Sequence, residues 1–468
     1  MKIENIRDQY KQIYTFFATL LLVVCYTVSF SIVWYTVYSD TIFLPFYRRG
    51  NWVMILIYVV LVLLFSKVFG GMKVGYLKRS DMMYSQIFAI VCVNVLTYFQ
   101  ISVVNRFMPS VWPMVILTLV DLVILMLWII VSNKIYFHLY PPRRLVVIYG
   151  EHTAADLVIK MSRRVEKYMI CESVRISEGM PHILSVIRRY EGVILCEVSG
   201  PIRNDLIKYC FAQNIRMYIA PKISDIIIRG AEEIRLFDTP LLLCRNYGLT
   251  IGQRFGKRCF DLIVSSVLLV IFSPLMLVSA IAIKAEDGGS ILFRQKRLTQ
   301  GGKEFYVCKF RSMVKDAEKH GPQLAQEDDD RITKTGRILR KYRIDELPQL
   351  LNILKGEMSV VGPRPERPEL AVEYEKNMPE FEFRLQVKAG LTGYAQVTGK
   401  YDTQPYDKLK MDLMYIENYS IFFDLRILLM TMKTALFPGE TNEEAQIHDL
   451  ERSKTEDSSH EETPKQKE

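Results

Sequence analysis

The 468-residue sequence has eight cysteines and no Cys-x-x-Cys pair among them (Cys25, Cys92, Cys171, Cys196, Cys210, Cys244, Cys259 and Cys308), and its six histidines are scattered. These absences exclude the ligand spacings of zinc sites. The cysteines read as small buried apolar residues in a reducing compartment. The Gly-x-Gly-x-x-Gly loop that lets a pyrophosphate approach a helix N-terminus is also missing. Where a strand could precede such a loop, only Gly150 stands before Glu151-His152-Thr153. No small-residue cleavage site follows the first apolar run, which therefore reads as an anchor and not as a removable signal. No series of charges lies inside the apolar runs, which argues against a channel or transporter. No internal repeat stands out.

Half of the residues are hydrophobic and 24% are charged, a balance that suits a membrane portion joined to a soluble one. The length allows about three domains at ~150 residues each. Four apolar runs lie in the first 140 residues, roughly Ile13 to Tyr38, Val53 to Phe69, Met83 to Val104 and Val111 to Ile135. Each is long enough to cross ~30 Å of hydrocarbon. Lys2, Arg7 and Lys11 precede the first run, Lys67, Lys73, Lys78 and Arg79 separate the second and third, and Lys134, Arg143 and Arg144 follow the fourth. The other two loops hold only Arg48, Arg49 and Arg106. The positive-inside tendency then places both ends of this unit on the cytoplasmic side. Asp121, near the fourth run, reads as a polar contact between helices.

Between residues 141 and 245 the pattern changes. Leu145 to Tyr149, Gly192 to Val198 and Ile215 to Ala220 read as strands, with helices at Ala154 to Lys167 and Asn204 to Gln213. Such alternation implies βαβ units and a parallel sheet, Rossmann-like but without the nucleotide loop. It reads as a structural, dimerising or regulatory domain. Residues 439–468 are polar and charged without apolar periodicity, and read as a disordered tail.

The remaining segment, 254–438, carries the chemistry. Its apolar stretch Phe260 to Ile283 is long enough to span, yet basic residues flank both ends: Lys257 and Arg258 before it, Lys284, Arg294, Lys296 and Arg297 after it. Ser273-Pro274 at its middle removes a helical N–H. A re-entrant helix broken at Ser273-Pro274, with the Ser273 hydroxyl serving the freed backbone, satisfies both facts. Further on, Asp345-Glu346 opens a helix whose apolar face is Leu347, Leu350, Leu351 and Leu354 and whose stop is Gly356. Adjacent helical residues point about 100° apart, so the two carboxylates can take separate tasks. An isolated acidic pair is usually an N-cap, but here Arg340, Lys341 and Arg343 precede it and Arg364, held between two prolines, and Arg367 follow. Lys309 and Arg311 lie at the end of a strand-like run, Phe305 to Phe310. This excess of cations suits a polyanionic ligand, and arginine's planar fork matches phosphate oxygens.

Five landmarks occur in order: Lys257-Arg258-Cys259-Phe260-Asp261, Lys309-Phe310-Arg311-Ser312-Met313, Asp345-Glu346-Leu347-Pro348-Gln349, Gly362-Pro363-Arg364-Pro365 and Gly390-Leu391-Thr392-Gly393-Tyr394-Ala395-Gln396-Val397. With them, and with Ser273-Pro274 inside its apolar run, residues 254–438 resemble the bacterial sugar transferases, the monotopic polyprenyl-phosphate phosphoglycosyl transferases. The whole chain is similar to their long subgroup, which includes undecaprenyl-phosphate galactose and glucose phosphotransferases. Ala389 and Tyr394 depart from the family's usual proline and tryptophan.

Taken together, these readings give a membrane α plus α/β protein: four N-terminal transmembrane helices (1–140), a Rossmann-like middle domain (141–245), and, with the resemblance, an α-rich catalytic domain (254–438) with a re-entrant helix at 260–283. The resemblance implies transfer of a sugar 1-phosphate from a UDP-sugar to polyprenyl phosphate, at the cytoplasmic membrane, with release of UMP. Asp345 is then the nucleophile of a covalent route, Glu346 the ligand of Mg²⁺, and Arg340, Arg364, Lys309, Arg311 and Arg367 the phosphate-binding groups. UDP-sugar, polyprenyl phosphate, membrane lipid and a second copy of the chain are the partners to expect, and nucleic acid is not. The rival reading is a non-catalytic membrane regulator or scaffold of polysaccharide assembly.

Overall fold

The computed structural model describes residues 3–42, 46, 49–77, 79–150, 154–162, 164–245, 248–314, 331–399 and 403–436. The tail 439–468, the loop Glu151-His152-Thr153, and Lys2, Arg48 and Lys78 lie outside the described residues. Two compact units divide the chain, Met1–Lys222 and Ile223–Glu468.

The first unit begins with four long helices, α1 (Ile3–Val33), α2 (Arg49–Phe69), α3 (Arg79–Asn105) and α4 (Trp112–Leu139). A single π-helical turn at Trp34–Tyr38 extends α1. All four are long and apolar enough to cross a membrane. Their outward faces carry exposed Leu, Val, Ile and Phe, while Leu22, Phe30, Trp34, Tyr58, Ile90 and Leu125 form the shared core. This is the burial expected of a bundle whose surroundings are themselves apolar. Asp121 is fully buried on α4. It accepts from Ser29 Oγ (2.6 Å, α1), Asn94 Nδ2 (3.2 Å, α3) and Tyr58 OH (3.4 Å, α2), so one carboxylate ties all four helices together.

After the bundle come β1 (Arg143–Tyr149), α5 (Ala155–Ser162), β2 (Tyr168–Arg175), α6 (Met180–Ile187), β3 (Gly192–Cys196), α7 (Gly200–Ala212) and β4 (Arg216–Ile219). The four strands form one sheet of order β2-β1-β3-β4, with every pairing parallel. β3 and the central residues of β1, Leu145 to Ile148, are all buried and, but for Gly192, apolar, as strands covered on both faces must be. Two elements were not expected from the sequence. β2 is an edge strand in which Glu172, Ser173 and Arg175 interrupt the apolar pattern, and α6 lies just beyond it. Gly150, at the end of β1, has a packing role. A Cβ there would collide with the backbone carbonyl of Glu197 after β3, so the glycine lets the end of β1 approach that backbone closely.

The second unit contains α8 (Ile223–Arg229), the hairpin β5 (Glu232–Leu236) and β6 (Thr239–Leu243), and the 37-residue α9 (Ile251–Asp287). Next come the hairpin β7 (Leu292–Leu298) and β8 (Glu304–Phe310), then α10 (Lys334–Lys341), α11 (Gln349–Lys355), β9 (Ser359–Val361), α12 (Pro368–Asn377), β10 (Gly390–Thr392), α13 (Tyr394–Thr398), α14 (Pro405–Glu417) and α15 (Ile421–Leu436). The core joins β8, α11, β9, α14 and α15 through Phe305, Val307, Leu350, Ile353, Val361 and Leu413, and the first half of α9 packs on it with Phe260, Val264 and Leu268.

Where a break in the helix is expected, the chain keeps its helical assignment through Ser273-Pro274, with Pro274 inside α9. Pro274 lacks the N–H that would meet the Val270 carbonyl, and the Ser273 hydroxyl donates to that carbonyl at 2.8 Å. The local hydroxyl keeps the lost acceptor satisfied, so the helix tolerates its proline. Both ends of α9 hold the same unit. Near its start, Arg258 donates to the carbonyls of Ile353 and Leu354 at the end of α11 (2.7 and 2.8 Å), and Asp261 Oδ1 accepts from Ser359 Oγ and Val360 N (2.8 and 2.9 Å). Near its finish, Glu286 accepts from the Lys334 and Thr335 amides at the start of α10. Between these anchors Ile263, Val267, Val270, Ile271, Leu277, Val278 and Ile281 are all exposed, an apolar surface suited to lipid.

The cysteine reading also needs one correction. Cys196, Cys210 and Cys308 are buried, but Cys171, on the edge strand β2, and Cys244, just past the β5–β6 hairpin, are exposed. None of the eight is in a disulfide.

Candidate active site

Asp345 and Glu346 do not sit in the first turn of the leucine-bearing helix. They occupy a short 3₁₀ turn, Ile344–Glu346, while α11 begins at Gln349 with Pro348 at its N-cap. The buried face of α11 is Leu350 and Ile353 together with Gln349 and Asn352, and Leu351 is exposed. Gly356, at φ 88°, ends the helix as its position suggested. α10 ends at Lys341, and Arg343 then takes a left-handed conformation, φ 54°. A residue with a Cβ is uncommon there and is strained by about 1 kcal/mol. That reversal turns the chain into the acidic pair.

β8 supplies the first partner. Phe305, Val307 and Lys309 alternate onto one face of the strand. The first two enter the core, and Lys309 Nζ reaches Glu346 Oε1 at 2.9 Å. Register is held by Asn352, whose Oδ1 accepts from Cys308 N (3.0 Å) and whose Nδ2 donates to Tyr306 O (2.8 Å). The α11 side chain thereby fixes the acidic turn against the lysine.

The proline-flanked arginine supplies the second. Arg364 Nη1 lies 3.7 Å from Glu346 Oε1 with its side chain 47% exposed, so the guanidinium also faces outward. Its loop is held by backbone contacts. Gly362 N donates to Thr392 O (2.8 Å) and Gly390 N to Pro363 O (2.9 Å), and a Cβ at Gly362, Gly390 or Gly393 would strike the opposing backbone. Buried Arg384 donates to the Arg364 carbonyl (2.9 Å) while paired with Asp412 (2.8 Å). The two glycine-containing motifs, 28 positions apart at Gly362 and Gly390, are therefore one structural support for Arg364.

The electrostatics separate the two carboxyls. Burial, and next the negative charge of Glu346, push Asp345 well above the usual carboxylate range, against the pull of Lys309, Arg340 and Arg364. Burial alone would raise Glu346 as well, but Lys309 and Arg364, with Arg343 behind them, hold it below its ordinary value. Two adjacent acids thus acquire different proton affinities, the usual sign of divided roles.

The sequence-selected residues Asp345, Glu346, Lys309, Arg340 and Arg364 converge. Arg340 also donates to Ser312 Oγ at 2.8 Å. Arg311 comes two residues after Lys309, just past the end of β8. It is buried against Gly289, where its guanidinium fills the space a Cβ would need. Arg367 lies one step away as the N-cap residue of α12. Arg297 was not selected from the sequence. It is pushed down to about 10 by burial and then by Arg364 and Arg367, and it donates to Pro365 O at 3.1 Å. The signal that could have found it is strand parity. Arg297 and Gln295 share one face of β7 and are hydrogen-bonded (2.6 Å), whereas Lys296 turns away to pair with Glu304 (2.9 Å). Ala389 is buried between β9 and β10, and Tyr394 packs on Phe423 with ring centroids 5.3 Å apart. A separate open cavity of about 800 Å³, whose lining includes Arg294, Lys303, Glu304, Lys355, Glu357 and Lys388, contains neither acidic residue of the pair.

A paired-carboxylate turn ringed by lysine and arginine, on a unit anchored to an apolar helix, defines an anion-handling site of a membrane protein. The family described as bacterial sugar transferase matches residues 252–438. The chain is 43% identical over 187 residues to the UDP-glucose:undecaprenyl-phosphate glucose-1-phosphate transferase of Caulobacter vibrioides, an alignment covering 38% of this chain and 69% of that protein. It is 41% identical over 185 residues to the UDP-N-acetylgalactosamine-undecaprenyl-phosphate N-acetylgalactosaminephosphotransferase of Aeromonas hydrophila, covering 39% and 44%. The UDP-glucose:undecaprenyl-phosphate glucose-1-phosphate transferase of Escherichia coli matches at 36% over 224 residues, covering 47% and 46%. The chain belongs to the bacterial sugar transferase family. It spans about half the length of several curated relatives it matches.

Arg364→Lys is expected to lower kcat/KM about 10- to 100-fold, because a point charge replaces a planar fork worth roughly 1.5–3 kcal/mol in charged hydrogen bonds. Steady-state kinetics check this, and near-full activity of the lysine variant would remove the bidentate role.

Proposed function

We propose that this chain transfers a sugar 1-phosphate from a UDP-sugar to polyprenyl phosphate, releasing UMP, as a membrane step of polysaccharide synthesis. The observation that carries the proposal is the half-buried pair itself: Asp345 stands beside Glu346, whose carboxylate is bonded to Lys309 at 2.9 Å and faces Arg364 at 3.7 Å. Asp345 attacks the sugar-linked phosphorus, and the bond from that phosphorus to the bridging oxygen breaks. UMP leaves with that oxygen. An oxygen of polyprenyl phosphate then attacks the same phosphorus and expels the Asp345 carboxylate, which regenerates the protein. A raised pKa makes Asp345 the stronger nucleophile once ionised, and the surrounding cations neutralise the phosphates it must approach. One small site then serves two large anions in turn.

The donors present fit a hard divalent cation. Glu346 and Asp345 offer carboxylate oxygens, and Mg²⁺ usually takes one or two carboxylates and completes its shell with phosphate oxygens and water. Among the described residues no group of three or more His, Cys, Asp or Glu converges, so substrate phosphate would have to complete such a site. Glu346 is the proposed ligand, sharing its Oε1 side with Lys309. When bound, the ion would neutralise charge developing on the leaving phosphate.

The test is incubation of the purified protein with a panel of UDP-sugars, following UMP. Release that requires polyprenyl phosphate and a divalent cation supports the reading. Absence of UMP with every sugar favours the scaffold reading. Glu346→Gln is expected to move the acid limb of the rate profile to lower pH. The active form of Asp345 is ionised, and removing the neighbouring negative charge lets it ionise more easily. An unmoved limb would show that the two carboxyls are not coupled.

The proposed location of the catalytic unit is the cytoplasmic face of the inner membrane. Cysteines introduced at Gly252 and Lys303, in a background without native cysteines, are expected to resist an impermeant thiol reagent in intact cells and to react once the membrane is opened. Labelling at Lys303 in intact cells would show that α9 crosses the bilayer.

A further inference from the structure

The open cavity of about 800 Å³ lies wholly within the second unit. Its cations come from four places: Arg294 on β7, Lys303 in the β7–β8 turn, Lys355 at the end of α11 and Lys388 just before β10. The side chains of these four form no hydrogen bond or ion pair with any described residue. The two acids of the lining are both engaged. Glu304 pairs with Lys296 at 2.9 Å, and Glu357 Oε2 accepts from Asn352 Nδ2 at 2.6 Å. The volume is within the roughly 300–1,000 Å³ usual for small-molecule sites.

The walls are held in place by the protein itself. Thr299 Oγ1 donates to Glu357 O (2.9 Å) and accepts from Ala389 N (3.2 Å), so one buried hydroxyl ties the β7–β8 turn to the end of α11 and to the residue after Lys388. Gln300 Nε2 donates to Gln386 O (2.9 Å). Gly301 and Gly302 take left-handed φ values, 69° and 71°, and carry the chain round to Lys303. Walls fixed in advance lose little freedom when a ligand arrives. Lys388 alone of the four cations is half-buried. Its amine is pushed below the usual lysine range first by burial and then by Arg258, with Lys257 adding to the effect against the pull of Asp261. An anion beside Lys388 relieves that repulsion.

Strand alternation separates this cavity from the acidic turn. Tyr306, which lines it, points away from the face of β8 that carries Lys309 to Glu346. Lys355 stands at the opposite end of α11 from Asp345. The inner edge of the cavity meets the foot of α9. A Cβ on Gly356 would lie 3.7 Å from Lys388 Nζ and 3.5 Å from Arg258 Nη2, and the exposed apolar run of α9 starts with Leu262 and Ile263, about one turn past Arg258. Cations at the foot of a lipid-facing helix stand at the level of lipid phosphates. We propose that this cavity binds a phosphate ester, carried either by an anionic lipid headgroup beside α9 or by a soluble phosphate compound, at a site separate from Asp345 and Glu346. Its occupancy does not depend on the transfer reaction. An anion held between Lys303, Lys355 and Lys388 would join the β7–β8 turn, α11 and the segment leading to β10.

The experiment uses the full chain. In nanodiscs, phosphatidylcholine alone is compared with phosphatidylcholine containing phosphatidylglycerol. In detergent, inorganic phosphate and pyrophosphate are compared with chloride at equal ionic strength. The readout is acylation of Lys388 by an uncharged amine-reactive ester, measured by peptide mass spectrometry relative to Lys334, which is exposed at the start of α10 beside the other end of α9. The Lys388-to-Lys334 ratio is expected to fall several-fold under the condition that fills the cavity. Protection in the lipid arm identifies a headgroup, protection in the detergent arm a soluble phosphate compound, and protection in both a site open to either. The double variant Lys303→Gln, Lys355→Gln changes two exposed side chains outside the proposed transferase site. It is expected to raise the phosphate concentration or phosphatidylglycerol fraction needed for half-protection by about three- to tenfold. An unchanged ratio for wild-type protein in both arms overturns the proposal, as does protection of the double variant at the wild-type concentration. Since the wild-type ratio is decisive alone, a variant that fails to fold does not rescue the idea.

Discussion

Asp345→Asn is expected to reduce turnover at least about 10³-fold while leaving the protein as stable as the wild type or slightly more so. The loss follows from the proposed chemistry, since an amide of the same size has no anionic oxygen to attack phosphorus. The stability follows from the environment. Burial and the adjacent Glu346 raise Asp345 above its ordinary range. A carboxyl with a raised folded-state pKa is ionised more easily when unfolded, so above the unfolded pKa its ionisation favours unfolding. Asparagine removes that term, and the melting temperature should hold or rise at neutral pH. Wild-type protein mixed with UDP-sugar labelled in the sugar, without polyprenyl phosphate, should retain label on the peptide containing Asp345. A variant that still turns over at a tenth of the wild-type rate, or wild-type protein that never carries label, would sink the covalent route.

Lys257→Met is expected to have the largest effect on folding, about 3–5 kcal/mol, because it leaves a buried carboxylate without its cation. Lys257 Nζ lies 2.7 Å from Asp424 Oδ2 and 2.9 Å from Tyr415 OH, and Tyr415 OH donates to Asp424 Oδ1 at 2.7 Å. Both charged side chains are nearly inaccessible, 6% and 0% exposed. The triad joins the first turns of α9 to α14 and α15, so its loss should loosen the apolar helix from the catalytic unit. The double variant Lys257→Met, Asp424→Asn should regain part of the stability, since neither charge is then stranded. Denaturation in detergent measures both, and a double-mutant cycle isolates the coupling. If Lys257→Met remained within about 1 kcal/mol of wild type, the anchor would be unimportant.

Arg258 and Asp261 complete the same lesson. With Lys257 they form the first of the sequence landmarks. Arg258 closes the carbonyl end of α11 and Asp261 receives the β9 backbone. Their partners lie about a hundred positions away, and no local pattern in the sequence reveals them.

Periodicity and composition were sufficient for the elements governed by local physics. The four apolar runs became four helices because hydrocarbon length and backbone hydrogen bonding leave few alternatives. The acidic pair, Lys309, Arg340 and Arg364 could be chosen because cations beside an acid turn are chemically unusual at any distance. The serine before Pro274 could be assigned to the carbonyl that proline leaves open, since donor and acceptor are within one helical turn. Other outcomes depended on contacts between distant segments. Arg297 joined the cluster because strand pairing set its face, beside Gln295 and toward Arg364 and Arg367. The helix expected to begin at Asp345 shortened to a 3₁₀ turn and a separate α11, because Arg343 had to reverse the chain to bring the carboxylates to Lys309. The sequence by itself determined which segments are apolar, which residues could handle an anion, and where helices must stop. The tertiary structure decided which of those residues meet, because the charge on a side chain is local information while its neighbours, and therefore its proton affinity, are set by the packing of segments far apart in the chain.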